Sequence, residues 1–579
     1  MATKATAEQR RNGRVGFAKD QKNDSNGILE FPAAQVAAIR RKARRADVRA
    51  MKALRRKIEN WITDRLNKQH ALLEYGDDVV ILTTRTDYKG NPEFLYRKDS
   101  ALVKLYRSLM VPLPKITPGG KVSREYKNPV DIWLDNTRHR RFKGVVVDPG
   151  RDTGDYINLW QGWGTEPRRV PVLDADGAPV VGEDGQPVTE LDFTGTACRR
   201  ILNHIRDVLA GGDVGLYRWM LAWFADIIQD PAEKKPSALL IYGPQGAGKS
   251  ILSEHVFPRI LKNAFSMERN TNFIKEDAGN TTAAGKLLIA AEEAIFAGDP
   301  RTAAELKTFI SQSTIGLRKL YSNKVTIPNT ARLMATVNPQ SAGGHVVAME
   351  NDDRRWTIAE CSAHRVGDFE YFKALHAEIA NGGAEAFHAF LLNPALMDAT
   401  LIQKGYESSS GIVQKILSLP VQEAFVYECL RSRTVQIGQP DDLREQWDDG
   451  IQKVGQQDLF KCYLDYCKDH KKQYPGTILQ FNAAVRKLLK LDPDKDVGRY
   501  NNDGRYWKLP PISEARERFR QWIRCEDNPA YLRKLWDDYE APEEADEHDE
   551  IWNRPPETVH SVSASDAAIS RQLDEEIPF

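Results

Sequence analysis

The stretch Ala238 to Glu254, ALLIYGPQGAGKSILSE, restricts what this chain can fold into more than any other. Leu239, Leu240 and Ile241 read as a buried strand, a glycine-rich turn follows, and a helical pattern begins after Lys249 and Ser250. The turn fits G-x-x-x-x-G-K-[ST] with strand, loop and helix in register. Gly243, Gly246 and Gly248, interleaved with Pro244, Gln245 and Ala247, let backbone N–H groups close around phosphate oxygens. The following helix adds its positive pole. In such a loop Lys249 reaches the β- and γ-phosphates of a nucleoside triphosphate and the Ser250 hydroxyl ligates Mg²⁺. A chance glycine-rich turn is the plain alternative, and the agreement of every part argues against it.

Downstream pieces separate hydrolysis from mere binding. Lys286 to Glu293, KLLIAAEE, is a second apolar strand ending in two carboxylates. There Glu292 would complete the Mg²⁺ shell and Glu293 would polarise the attacking water. A third strand, Arg332 to Asn338, ends in an amide that can orient that water. Between them Arg318, Lys319 and Lys324 flank a Ser322-Asn323 turn, which reads as a cationic hairpin for DNA. In NDDRRWTIAE, Arg354 and Arg355 precede a fourth strand, badly placed for their own nucleotide and well placed as an arginine finger for a neighbour's.

The rest of the chain supplies context. At 579 residues it has room for about three or four domains. No apolar run approaches the ~20 residues of a membrane span, and the polar, basic start predicts no secretory leader. Six scattered cysteines without C-x-x-C predict reduced thiols and a cytoplasmic setting. The net charge of +1 conceals a basic amino-terminal end and an acidic carboxyl-terminal end.

In order, the sequence predicts a disordered basic segment (1–31), a basic helix (32–71) with an apolar stripe of Val48, Met51, Leu54, Ile58, Trp61 and Leu66, and a small α+β domain (72–172). That domain offers no D-x-D strand for primer synthesis, since Asp131 and Asp135 are spaced for a helix turn. A surface hairpin (173–194) carries two Asp-Gly turns, and a helical region (195–235) breaks at Gly211-Gly212, with Trp219 and Trp223 as core. The ATPase core (236–362) is followed by helices (363–450), then by two helices and a hairpin turning at Asn502-Asp503-Gly504 (451–535), a winged-helix-like domain with Arg499, Arg505 and Lys508 available for phosphates, although many such domains bind only protein. An acidic tail (536–579) ends the chain.

The order GPQGAGKS, apolar strand plus Glu-Glu, basic hairpin, apolar strand plus Asn, then Asp-Arg-Arg, within about 115 residues, resembles the superfamily 3 DNA helicases. More narrowly it resembles the helicase part of phage and plasmid primase-helicase proteins. RFKGVVVDPG, DYINLWQGWGTEP and the helix ending Gln229-Asp230-Pro231 are similar to what precedes that core. The likeness, good over about Asp131 to Ile402, implies a P-loop AAA+-like ATPase core; with the helical and α+β amino-terminal region and the small carboxyl-terminal winged-helix-like domain read from the residues, the expected fold class is α/β. The likeness also implies a homo-hexamer that hydrolyses ATP at subunit boundaries, with Mg²⁺, and moves 3′ to 5′ on single-stranded or forked DNA in a bacterial host cytoplasm. By position, Gly243, Gly248, Lys249 and Ser250 match the phosphate loop, Glu292 and Glu293 the acidic pair, Asn338 the sensor, Arg354 or Arg355 the trans arginine, and Lys319 or Lys324 the DNA hairpin. Glu292 stands where many relatives have Asp, and no primase domain is recognisable.

The last six residues, Asp574 to Phe579 (DEEIPF), resemble the tip of bacterial single-stranded DNA-binding proteins. That tip implies capture of host replication proteins, a primase among them. Two other functions compete with unwinding: a DNA-binding ATPase for origin recognition or packaging, and a scaffold without catalysis. The basic hairpin favours a ring that threads DNA.

Overall fold

The computed structural model describes residues 48–75, 78–86, 92–117, 122–148, 153–270, 273–274, 283–293, 300–317, 325–338, 346–435, 446–471, 474–500, 504–526 and 528–539. The basic segment 1–31, the first part of the expected helix, the hairpin tip with Arg318, Lys319 and Lys324, Asn502-Asp503 and the acidic tail with its tip lie outside the described residues.

Helix α1 (Val48–Leu66) turns Met51, Ile58, Ile62 and Leu66 inward, while Val48 at its start stays exposed. It stops before Gln69 because the pattern changes from helical to alternating: His70–Tyr75 is a strand paired antiparallel with Asp78–Thr86. Pro92–Arg97 and Arg141–Phe142 flank this pair in a four-stranded sheet. Asp131 and Asp135 fall on a short helix, Pro129–Asp135, whose cap Asn128 accepts from the N–H of Val130 and whose Trp133 is fully buried. The segment 173–194 is a mostly exposed pair of nested turns with Gly177 and Gly185 in the left-handed region.

The central layer is a parallel five-stranded sheet: β1 (Ala238–Tyr242), β2 (Phe265–Glu268), β3 (Leu288–Glu292), β4 (Arg332–Val337) and β5 (Trp356–Glu360), ordered β2-β3-β4-β1-β5. Helices cover it, so its strands are buried along their length and read as apolar runs. The edge strand β2, FSME, has no such run, and hydrophobic patterning does not reveal it. Helix α2 (Val214–Gln229) packs on the sheet with Trp219 and Trp223 stacked in the core, their ring centroids 6.0 Å apart.

Among the described residues one core runs from Ala71 to Ile402, a second from Ile412 to Trp536, and a third, smaller one joins Ile58, Ile62 and Leu66 of α1 to Leu113 and Trp133. The second surrounds helices Gln456–Asp469 and Ile478–Leu489 and a three-stranded sheet in which Gln452–Gly455 joins the hairpin Val497–Arg499 and Arg505–Leu509. That third strand, QKVG, carries no strand signal of its own. No helix among the described residues is long and apolar enough to cross a membrane.

Three histidines, His70, His204 and His388, are buried, and burial pushes each pKa down to about 4. Unfolded, each titrates near 6.5. The unfolded chain therefore binds more protons between these values, so the stability they contribute is complete above pH ~6.5 and is lost as pH falls toward ~4. The thermal unfolding midpoint should be level from pH 7.5 to about 6.5 and fall from there to pH 5, and His388→Gln should flatten that fall; a midpoint independent of pH between about 6.5 and 5 would contradict neutral burial.

Candidate active site at the carboxyl edge of the parallel sheet

Parallel sheets covered on both faces bind ligands outside the carboxyl ends of their strands. β1 leaves this edge into the loop 243–250. Gly243 has φ 153° and Gly248 φ 88°. A Cβ on Gly243 would come within 2.9 Å of the Cβ and carbonyl of Cys361, and one on Gly248 within 2.8 Å of the rings of His204 and Phe372. The loop is thus backed closely by protein behind, while Gln245 and Gly246 are exposed.

Lys249 is folded back over its own loop, its Nζ donating to the carbonyls of Gly243 (2.8 Å) and Pro244 (2.7 Å). Burial lowers its pKa, and the Glu293 carboxylate opposes that shift. A partly desolvated ammonium satisfied only by neutral carbonyls is a strong site for an anion. Ser250 lies half-buried at the start of the next helical turn, its carbonyl accepting from the N–H of Glu254 at 2.8 Å.

β3 and β4 bring the other groups to the same edge. Glu292 ends β3 and accepts from Arg269 Nε at 3.1 Å, so its carboxylate is engaged by a neighbour of the edge strand. Glu293, one residue on, is exposed and has φ 50°, with its N–H bonded to the carbonyl of Thr336 at 2.9 Å. A left-handed conformation costs a residue with a Cβ about 1–2 kcal/mol, and such strain gathers at functional sites. Asn338 follows β4, and its Oδ1 is buried without a hydrogen-bond partner among the described residues. Lys249, Ser250, Glu292, Glu293 and Asn338 thus lie at the ends of three adjacent strands.

Arg354 and Arg355 are elsewhere. They precede β5, and the N–H of Ala238, first residue of β1, donates to the carbonyl of Arg355 at 2.8 Å. They sit at the amino edge of the sheet, about 15 Å along β1 from the glycine-rich loop. Arg355 is held at home by Ser311 Oγ (2.7 Å) and Asp353 Oδ1 (3.3 Å). Arg354 is exposed and its guanidinium has no polar partner among the described residues. The cationic hairpin pairs Thr314–Leu317 with Val325–Pro328, rooted by buried Ile315 and Ile327.

Three residues at the loop carried no signal in the sequence. His204 lies in an ordinary helical stretch, yet its Nε2 is 3.0 Å from the carbonyl of Gly248 and its Nδ1 3.0 Å from the hydroxyl of Tyr371. Phe372 and Cys361 complete the wall behind the loop. Only the fold brings these segments together.

A protein family described as a family of unknown function (DUF5906) matches residues 241–355, the span from β1 to Arg355. No curated protein matches the chain. The fold is similar to that of the NrS-1 C-terminal region in its apo form (residues 305–718 of that protein), with 16% identity, a TM-score of 0.50, and coverage of 78% of this chain and 99% of that one. A second structure of the same region, its A form, matches with the same values. At that identity the likeness is one of fold.

Proposed function

We propose that the chain is an ATP-dependent replicative DNA helicase of phage or mobile-element type, with an AAA+-like core of the superfamily 3 kind. The observation that carries this reading is the convergence, at one sheet edge, of a left-handed glycine loop, an ammonium without a counter-anion, a strained exposed carboxylate and an amide oxygen without a partner. A triphosphate with its attacking water would give the ammonium an anion and the amide oxygen a donor, and glycines at the left-handed positions let the loop close around it.

The loop amides and Lys249 bind and orient the β- and γ-phosphates. Ser250 and Glu292 are the residues that would hold Mg²⁺, which would supply charge neutralisation of the phosphate oxygens. Glu293 takes a proton from the attacking water, and Asn338 Oδ1 fixes the water's orientation by accepting its other hydrogen. The 15 Å offset of Arg354 supports a ring, a hexamer by resemblance, in which each subunit's arginine completes its neighbour's site. Arg318, Lys319 and Lys324 would meet the DNA backbone inside that ring, and Asp574 to Phe579 would recruit host replication proteins.

Removing the Lys249 ammonium should weaken ATP binding and hydrolysis together, whereas Glu293→Gln should bind ATP and hydrolyse it at least about 10²-fold more slowly. On forked DNA the unaltered protein should displace a strand and Glu293→Gln should not. ATP hydrolysis without displacement on forks of either polarity would return the chain to a DNA-binding ATPase that does not unwind.

Arg354→Ala should still assemble but lose about 10³-fold in ATPase activity, and mixing it with Lys249→Ala should restore part of it, because some boundaries then combine an intact loop with an intact finger. Arg355→Ala, which frees Ser311 and Asp353, should instead lower the unfolding midpoint. Full activity of Arg354→Ala, or no recovery in verified mixed assemblies, would contradict the assignment.

A further inference from the structure

We propose that His204 is a positioning residue for the glycine-rich loop: it clamps the Gly248 carbonyl so that the Lys249 amide faces the phosphate site, and Tyr371 sets the ring's tautomer. The proposal rests on the nucleotide-binding reading of that loop and adds a residue outside the motif to it.

The hydrogen-bond roles follow from chemistry. A carbonyl oxygen only accepts, so the ring nitrogen 3.0 Å from Gly248, Nε2, carries the proton. Burial keeps the imidazole neutral, so Nδ1 is bare and accepts from the Tyr371 hydroxyl at 3.0 Å. The peptide between Gly248 and Lys249 is planar and trans, which points its C=O and N–H in opposite directions. Holding the carbonyl on the His204 side therefore turns the Lys249 N–H away from the wall, toward the open side of the loop. The Ile251 N–H, 3.3 Å away, shares the same oxygen but cannot set the peptide plane alone.

The clamp is built from both sides of the loop in sequence. His204 opens a π-helical turn, His204–Leu209, of the kind that often marks functional positions. The Val208 carbonyl of that turn accepts from the Ser362 N–H at 2.8 Å, tying it to the end of β5. Tyr371 belongs to helix α3 (Phe369–Glu378), whose cap Asp368 accepts from the Tyr371 N–H at 3.0 Å and from Arg365 at 2.9 Å. The Arg365 guanidinium lies over the Tyr371 ring, 4.6 Å from its centroid. Packing alone would be met by any apolar residue of similar volume, whereas this site uses both ring nitrogens in opposite roles.

The test compares the unaltered protein with His204→Leu, His204→Gln and Tyr371→Phe. Binding of a fluorescent ATP analogue is measured, and hydrogen–deuterium exchange of the amides in residues 243–251 is followed without nucleotide. His204→Leu should bind the analogue about tenfold more weakly or worse and exchange faster in the loop. His204→Gln, whose amide N–H can reach the same carbonyl, should stay within about threefold of the unaltered protein. Equal binding and equal exchange in His204→Leu would overturn the clamp, as would equal losses in the Leu and Gln variants, which would mark a packing role. If the unaltered protein binds no nucleotide, the reading of the site fails, and the exchange comparison still decides the clamp. If His204→Leu does not fold, Tyr371→Phe serves: faster loop exchange in a folded protein supports the proposal, and unchanged exchange overturns it.

Discussion

Arg332, the first residue of β4, is wholly buried and pairs with Asp226 of α2 at 2.6 Å. Its guanidinium also donates to the carbonyls of Pro231, Thr330, Asp230 and Glu233, at 2.7 to 3.2 Å. Burying two charges is costly, and breaking such a pair from one side costs about 3–5 kcal/mol because the remaining charge has no water to turn to. That penalty fixes where β4 begins. β4 lies between the acid-bearing β3 and the loop-bearing β1, so the same pair sets where Asn338 emerges and how the two carboxyl ends stand relative to it.

The two edges of the sheet differ in how well their polar groups are met. At the amino edge Arg332 spends its donors on a carboxylate and backbone carbonyls, and Arg355 is held by Ser311 and Asp353. At the carboxyl edge Lys249 falls back on its own loop, Asn338 Oδ1 is unmet and Glu293 sits in a left-handed conformation. Asp226 Oδ1 and Asp353 Oδ2 at the amino edge are also buried without hydrogen bonds among the described residues, each with a lysine Nζ at 4.0 Å, so what sets the carboxyl edge apart is the gathering of an amide, an ammonium and a left-handed carboxylate at adjacent strand ends.

Much of this was legible in the sequence because the central strands are buried on both faces and spell themselves as apolar runs between glycines and carboxylates. Leu239 to Ile241, Leu288 to Ala291 and Leu333 to Val337 appear where the pattern puts them. The edge strand Phe265–Glu268 and the strand Gln452–Gly455 have no such signature, since an edge strand needs only a partner's backbone and not an apolar run. The loop's glycine turn was readable because its conformation is local. His204, Tyr371 and Phe372 were not, because a lone histidine or aromatic pair on a helix looks like core until the fold sets it against Gly248. The sequence also left Arg354 and Arg355 equivalent, and the separation came from Ser311, a residue more than forty positions away that occupies only one of them.

The central claim is that the carboxyl edge is a triphosphate site, and a structure with a non-hydrolysable ATP analogue and Mg²⁺ tests it most directly. The account predicts that Lys249 Nζ leaves the carbonyls of Gly243 and Pro244 for the phosphates, that the loop amides converge on the β-phosphate, and that Asn338 Oδ1 gains a partner within about 3 Å. An analogue bound elsewhere, or one bound here with Lys249 still on its own loop and Asn338 still unmet, would contradict it.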